Sequence, residues 1–176
     1  MLFMEQSWNK PLSIQNDIDY LKLTKDPIII YALVDEAEAI ANSCKENGIN
    51  ITAFCDNESR KTEKPYWGLE VIFTPDLPKR FPKANFIIAH QSLDDCAEQL
   101  SELGYNNFYS PLKLLKKYDV NKYSYRTSKD YMQSKIENII KLNELYFDET
   151  KTYIRSLDVV ITTKCSMNCE SCANLM

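Results

Sequence analysis

A chain of 176 residues, 44% hydrophobic and 26% charged, can bury the core of one ordinary domain with an appendage, and this balance excludes a disordered or fibrous polypeptide. Its formal net charge of -4 gives no overall attraction to phosphate backbones, so nucleic-acid binding would require a local basic patch. No apolar run approaches the roughly 20 residues that cross a bilayer, and residues 1–10 lack the basic start and apolar middle of a secretory signal, so the chain reads as cytoplasmic.

Residues 1–26 read as an N-terminal extension. Pro27 then introduces Ile28, Ile29, Ile30, Tyr31 and Ala32, a short continuous apolar run that predicts a strand buried on both faces. Over 35–47 the residues Ala37, Ile40, Ala41 and Cys44 recur at helical spacing. Acidic residues occupy the first turn of that segment, and Gly48 stands where the helix should stop. Residues 49–55 repeat the strand signal and run into Asp56, after which the polar stretch 57–64 reads as a loop. A shorter strand is predicted over 68–73, followed at Thr74, Pro75, Asp76 and Leu77 by a short helix with proline in its first turn. Residues 85–90 form another buried-strand run. Ser92, with Asp95 three residues later, predicts a capped helix over 93–103 that Gly104 closes. Phe108 and Tyr109 suggest a last strand. Strand and helix alternating at this spacing predict a parallel sheet covered by helices on both faces, with the domain spanning 27–118.

The periodicity weakens over 112–126, where lysines interleave with tyrosines. Residues 119–155 read as a helical connector built on an amphipathic helix over 127–148, with Met132, Ile136, Ile139, Ile140, Leu142, Leu145 and Tyr146 on one side. A fresh strand run over 157–163 leads into the cysteine-rich end, which defines a last segment, 156–176.

Open α/β sheets place ligands outside the carboxyl ends of their strands, which singles out Tyr31, Asp56 and His90 as the residues of a possible pocket. A structural role competes for each, because an Asp closing a strand usually begins a turn and a lone His is usually hydrogen-bonded scaffold. Asp94 and Asp95 are adjacent on a helix and do not face one another, which suits a helix start better than acid-base work. Lys113, Lys116, Lys117, Lys122, Arg126 and Lys129, with Tyr118, Tyr123 and Tyr125, could form a basic stacking patch, although lysines at such spacing usually form a solvated face.

Of six cysteines, Cys44, Cys55 and Cys96 are isolated and read as small buried apolar residues, whereas Cys165, Cys169 and Cys172 form a tight C-x3-C-x2-C cluster. Three soft thiolates on one loop can converge on iron-sulfur or zinc, and structural zinc prefers a fourth protein ligand that is not obvious nearby. A zinc loop or incidental thiols are the competing reading.

The segment from Asp158 through Val159, Val160, Ile161, Thr162, Thr163 and Lys164 to Cys165, with this spacing after it, resembles the first strand and cluster loop of the radical S-adenosylmethionine (SAM) superfamily. The resemblance covers about the last 20 residues. It implies that Cys165, Cys169 and Cys172 hold a [4Fe-4S] cluster with one open iron, and that SAM chelates this iron and is cleaved reductively to a 5'-deoxyadenosyl radical. Flavodoxin or ferredoxin is the implied type of electron donor. Family members often carry an aromatic residue near the adenine just before the third cysteine, and here that position is Ser171. Ala173, Asn174, Leu175 and Met176 resemble the residues after the motif in a subgroup with attached N-terminal domains. Under this resemblance residues 156–176 begin a truncated partial barrel, and the chain by itself is expected to be inert.

Residues 28–109 resemble the small Rossmann-like domain that precedes sugar acyltransferases and some radical SAM or methyltransferase proteins. The cues are the first strand, Asp56 closing the second, Gly68 to Ile72 leading to Thr74, and the strand ending at His90. That family has a glycine-rich first turn for phosphate, whereas this chain has Ala32, Leu33 and Val34, followed by Asp35 and Glu36, whose charges would repel a pyrophosphate. The resemblance implies an accessory or recruiting domain for a small-molecule, peptide or sugar-linked substrate. The alternative is a non-catalytic binding or scaffold module for a sugar-linked or nucleotide ligand.

Overall fold

The computed structural model describes residues 13–148 and 150. At its centre is β2 (Ile28–Tyr31), in which every residue is buried. Three consecutive isoleucines, stiff at χ1, suit a pleated surface covered on both sides. This strand pairs in parallel with β3 (Ala53–Asp56) on one side and β5 (Asn85–Ile88) on the other. Outside β3 lies β4 (Val71–Phe73), and outside β5 lie β6 (Phe108–Tyr109) and β1 (Ile14–Gln15). The order is β1-β6-β5-β2-β3-β4, and all pairings are parallel.

Parallel neighbours need crossovers rather than hairpins. The helix α1 (Asp35–Glu46) carries the chain from β2 to β3, a 3-10 turn (Thr74–Asp76) with α2 (Leu77–Arg80) carries it from β4 to β5, and α3 (Leu93–Glu102) from β5 to β6. Two of these helices end in the same way. The Gly48 N–H donates to the Lys45 carbonyl at 3.2 Å and the Ile49 N–H to the Cys44 carbonyl at 2.9 Å; after α3, Gly104 and Tyr105 repeat the pattern on Ser101 (2.8 Å) and Leu100 (3.1 Å). Both glycines have positive φ, 72° and 92°, which this left-handed cap requires.

Successive side chains alternate across the sheet, so each face gathers its own core. Ile28, Ile30, Phe54, Ile87 and Tyr109 join Ala37, Ile40 and Cys44 of α1 in one cluster. Ile29, Tyr31, Cys55, Phe86, Ile88 and Phe108 meet Leu77 of α2 and Leu93, Ala97 and Leu100 of α3 in the other. The architecture is Rossmann-like α/β, a parallel sheet between helical layers.

The segment after β6 belongs to the first of these cores. The short α4 (Leu112–Leu115) and the long α5 (Lys129–Phe147) contribute Leu114, Leu115, Met132, Ile136 and Ile139 to the α1 face. Ser128 starts α5 by accepting the Tyr131 N–H on its hydroxyl at 3.2 Å. One turn beyond Ile139, the buried Asn143 accepts a hydrogen bond from the Ser110 hydroxyl at 2.5 Å, and that hydroxyl accepts the Leu112 N–H at 3.1 Å. A helix read as a connector thus lies on the sheet's own core.

The structure differs from the sequence reading in four further places. Residues read as an extension supply β1 and place Ile18 and Leu21 in the core. The strand expected from Ile49 begins only at Ala53, because Asn50 and Thr52 are exposed and pairing with β2 starts where the Thr52 N–H reaches the Ile28 carbonyl at 2.8 Å. Gly68 lies in a tight turn, Tyr66 to Leu69, whose central residues Trp67 and Gly68 both have positive φ (51° and 76°), so β4 starts later, at Val71. Ser92 occupies the start of α3 but its side chain makes no cap bond.

If α5 is part of this core, Ile136→Ala should lower the stability of the whole domain by about 2–5 kcal/mol. Urea unfolding followed by circular dichroism checks this; a change below about 1 kcal/mol would place α5 outside the cooperative unit.

Candidate functional site

The chain leaves β2 toward β3 and later returns to the other side of β2 as β5, so the crevice outside the carboxyl ends of these strands is the sheet's topological switch point. Tyr31 ends β2, Asp56 ends β3 and His90 follows β5 by two residues. The structure brings all three to the wall of one cavity of about 430 Å³, with Ala32, Val34, Asn57, Lys61, Asp95, Cys96 and Gln99 also lining it.

Asp56 is 5% exposed, and its oxygens are spoken for. One accepts the Leu33 N–H at 2.7 Å and the Lys61 ammonium at 3.1 Å, and the other accepts the Glu58 N–H at 2.9 Å. A carboxylate ending one strand therefore fixes both its own turn and the neighbouring β2–α1 loop. The Lys61 ammonium also contacts Glu58 at 3.1 Å and donates to the Leu33 carbonyl at 3.4 Å, so its three donors are engaged. Burial alone would lower its pKa, but the bonds to Glu58 and Asp56 outweigh this and raise it. Lys61 is a local counter-ion rather than a free phosphate ligand. It escaped the sequence reading because a lysine in a polar loop carries no distinguishing signal.

Around Tyr31 a second network forms. The Tyr31 hydroxyl donates to Gln99 Oε1, and the Asn57 amide donates to the same hydroxyl at 3.0 Å and to Gln99 Oε1 at 2.7 Å. Burial raises the Tyr31 pKa well above the ordinary phenol value, which keeps it a neutral donor. His90 Nδ1 accepts the Ser92 N–H at 3.2 Å, and this replaces the expected serine cap at the start of α3. In the neutral ring the proton then resides on Nε2.

Where the resemblance would place glycine, Ala32 adopts φ 73°. The left-handed turn is kept without a glycine, at a conformational cost of about 1–2 kcal/mol. The α1 N-terminus beyond it carries Asp35, Glu36 and Glu38, and α3 begins with Asp94 and Asp95. Carboxylates thus occupy both helix starts that flank the crevice, which disfavours a phosphate there.

The other groups singled out in the sequence lie elsewhere. Lys113 pairs with Asp17 at 3.3 Å, Lys116 with Glu144 at 2.5 Å and Lys122 with Glu46 at 3.3 Å. Tyr118 stacks on Tyr123 at 5.6 Å and shares a 2.5 Å hydrogen bond with Tyr125. The basic and aromatic segment is therefore largely committed to internal partners. Cys44, Cys55 and Cys96 are buried free thiols. Burial pushes Cys44 and Cys96 up to about 12, and Cys55 well above its usual value. Cys165, Cys169, Cys172 and Ser171 lie outside the described residues. Among the described residues no group of His, Cys, Asp and Glu is arranged to hold a metal ion, and no helix is long and apolar enough to cross a membrane.

Fold and crevice together define a Rossmann-like α/β domain with a polar, acid-flanked cleft at its switch point. No protein-family model, curated protein or solved structure gives a significant match to the chain.

Asp56→Ala orphans the Leu33 and Glu58 N–H groups and should cost about 2–3 kcal/mol, whereas Asp56→Asn, which keeps an acceptor for Leu33, should cost less; urea midpoints of the two variants would rank them. Iodoacetamide at neutral pH should leave Cys44, Cys55 and Cys96 unlabelled until the protein is unfolded, as read by peptide mass mapping. Labelling of Cys96 in the native state would mean that the cleft opens.

Proposed function

We propose that the chain is part of a radical SAM iron-sulfur enzyme, with the Rossmann-like domain as its recruiting module for a small-molecule, peptide or sugar-linked substrate. The observation that carries this reading is the C-x3-C-x2-C spacing of Cys165, Cys169 and Cys172 directly after the apolar run at 157–163. Three thiolates are an incomplete set for structural zinc, but they suit a [4Fe-4S] cluster that keeps one iron open. When bound, such a cluster supplies the electron that cleaves SAM to a 5'-deoxyadenosyl radical, with a flavodoxin- or ferredoxin-type protein as donor. In this reading Lys164 and Ser166 flank the first ligand, and Ser171 stands where an adenine-facing residue is expected.

A second reading, a non-catalytic binding module for a sugar-linked or nucleotide ligand, draws support from the cleft of Tyr31, Asn57, His90 and Gln99, whose amides and hydroxyl suit polar ligands. The two readings differ in what they require of the thiols. Anaerobic reconstitution of the full chain with ferrous iron and sulfide should yield bound iron and sulfide in equal amounts and a visible absorbance that dithionite bleaches. Cys165→Ala, Cys169→Ala and Cys172→Ala should each abolish that absorbance without altering the circular dichroism. Uptake of zinc alone, or a cluster that survives all three substitutions together, would overturn the enzymatic reading.

A further inference from the structure

On the wall of the cavity of about 430 Å³, Tyr31 of β2, Asn57 just past β3 and Gln99 of α3 hold one another in place. Both Asn57 amide hydrogens are used, one on the Tyr31 hydroxyl at 3.0 Å and one on Gln99 Oε1 at 2.7 Å, and Gln99 Oε1 accepts the Tyr31 hydroxyl as well. Among the described residues this leaves Asn57 Oδ1 without a donor and the Gln99 Nε2 hydrogens without an acceptor, on two side chains that are exposed. The orientation of both amides is set by their bonds to Tyr31, so little side-chain freedom is left to lose when a ligand arrives. His90 adds an Nε2–H donor, because its Nδ1 already accepts the Ser92 N–H. The wall therefore offers one fixed acceptor and two sources of donors from three different strand ends and helices.

The charge balance narrows what these groups can meet. Asp56, Glu58 and Asp95 set three carboxylates on the wall against the one ammonium of Lys61, whose donors are already engaged by Asp56, Glu58 and the Leu33 carbonyl. A phosphate or carboxylate would find no unengaged cation and would face like charge. A cation would face the hydrogens of Gln99 and His90. A hydroxyl both donates and accepts, so it satisfies Asn57 Oδ1 as readily as Gln99 Nε2–H or His90 Nε2–H. Ala32, Val34 and Cys96 supply the apolar surface on which the C–H face of such a molecule can rest.

We propose that this crevice binds an uncharged polyhydroxylated molecule of monosaccharide size, its hydroxyls held by Asn57 Oδ1, the Gln99 amide and His90 Nε2–H, and that it selects against phosphorylated forms. The proposal deepens the binding-module reading and rests on it.

Glucose, galactose, mannose and N-acetylglucosamine are the uncharged probes. In the isotope-labelled full chain at least one of them should saturably shift the side-chain amide resonances of Asn57 and Gln99 and the imidazole resonances of His90. The 1-phosphate and 6-phosphate of the same sugar should bind at least about fivefold more weakly. Gln99→Glu keeps the acceptor for Tyr31 and Asn57 but replaces the ligand-facing donor with a charge, and should weaken the neutral sugar about tenfold. Glu98→Gln, next to it on α3 and outside the cavity, should leave binding unchanged. Phosphates that bind as tightly at the same resonances, or equal affinity in a natively folded Gln99→Glu variant, would overturn the proposal while leaving the crevice a ligand site. The absence of a saturable shift with every probe, charged or not, would overturn the proposal and the binding-module reading together.

Discussion

The Asp56 carboxylate ties together the end of β3, the turn after it and the loop between β2 and α1. Lys61 completes this bracket from the far end of the same turn. Because β2 and β3 are already in register, the bracket adds no new topology; it sets the shape of the crevice at their ends. The positive φ of Ala32 is tolerated for the same reason, since Ala32 donates to the Cys55 carbonyl at 3.0 Å and the next residue is pinned by Asp56. A phosphate-binding loop uses glycine and bare amides at this place. Here a side-chain anion consumes the Leu33 amide, and carboxylates of α1 occupy the space beyond.

That substitution changes the electrostatic character of the domain without changing its architecture, which is why the fold alone says little about its ligand. The groups around the crevice include Asp56 and Glu58, both paired with Lys61, and Tyr31 held neutral by burial. The polarity of the cleft thus comes from amides, a phenol and one imidazole, with negative charge at its margins.

The central strands were legible in the sequence because burial on both faces demands uninterrupted apolar runs, and Ile28 to Tyr31 and Asn85 to Ile88 supply them. Gly48 and Gly104 marked their helix ends for an equally local reason. Tyr31, Asp56 and His90 could be picked out because the end of each strand is visible in the chain. The rest depended on partners distant in sequence. Ile14 and Gln15 form a strand only because Phe108 and Tyr109 offer them a ladder. Asn143 looks like a polar interruption of a helix until Ser110 is placed beside it. Residues 156–176, where the cysteine motif lies, are legible only as a pattern of spacing.

Among the described residues, both borders of the sheet are short, two residues in β1 and three in β4. A border strand exposes unpaired amide and carbonyl groups that another polypeptide could extend, and brevity limits how many it can recruit. The Glu70 side chain just before β4 forms a two-pronged contact with Arg80, at 2.9 and 2.7 Å, which sets a charged pair beside that border. Short borders, one of them beside a charged pair, leave little open edge from which the apolar middle of the sheet could template self-association.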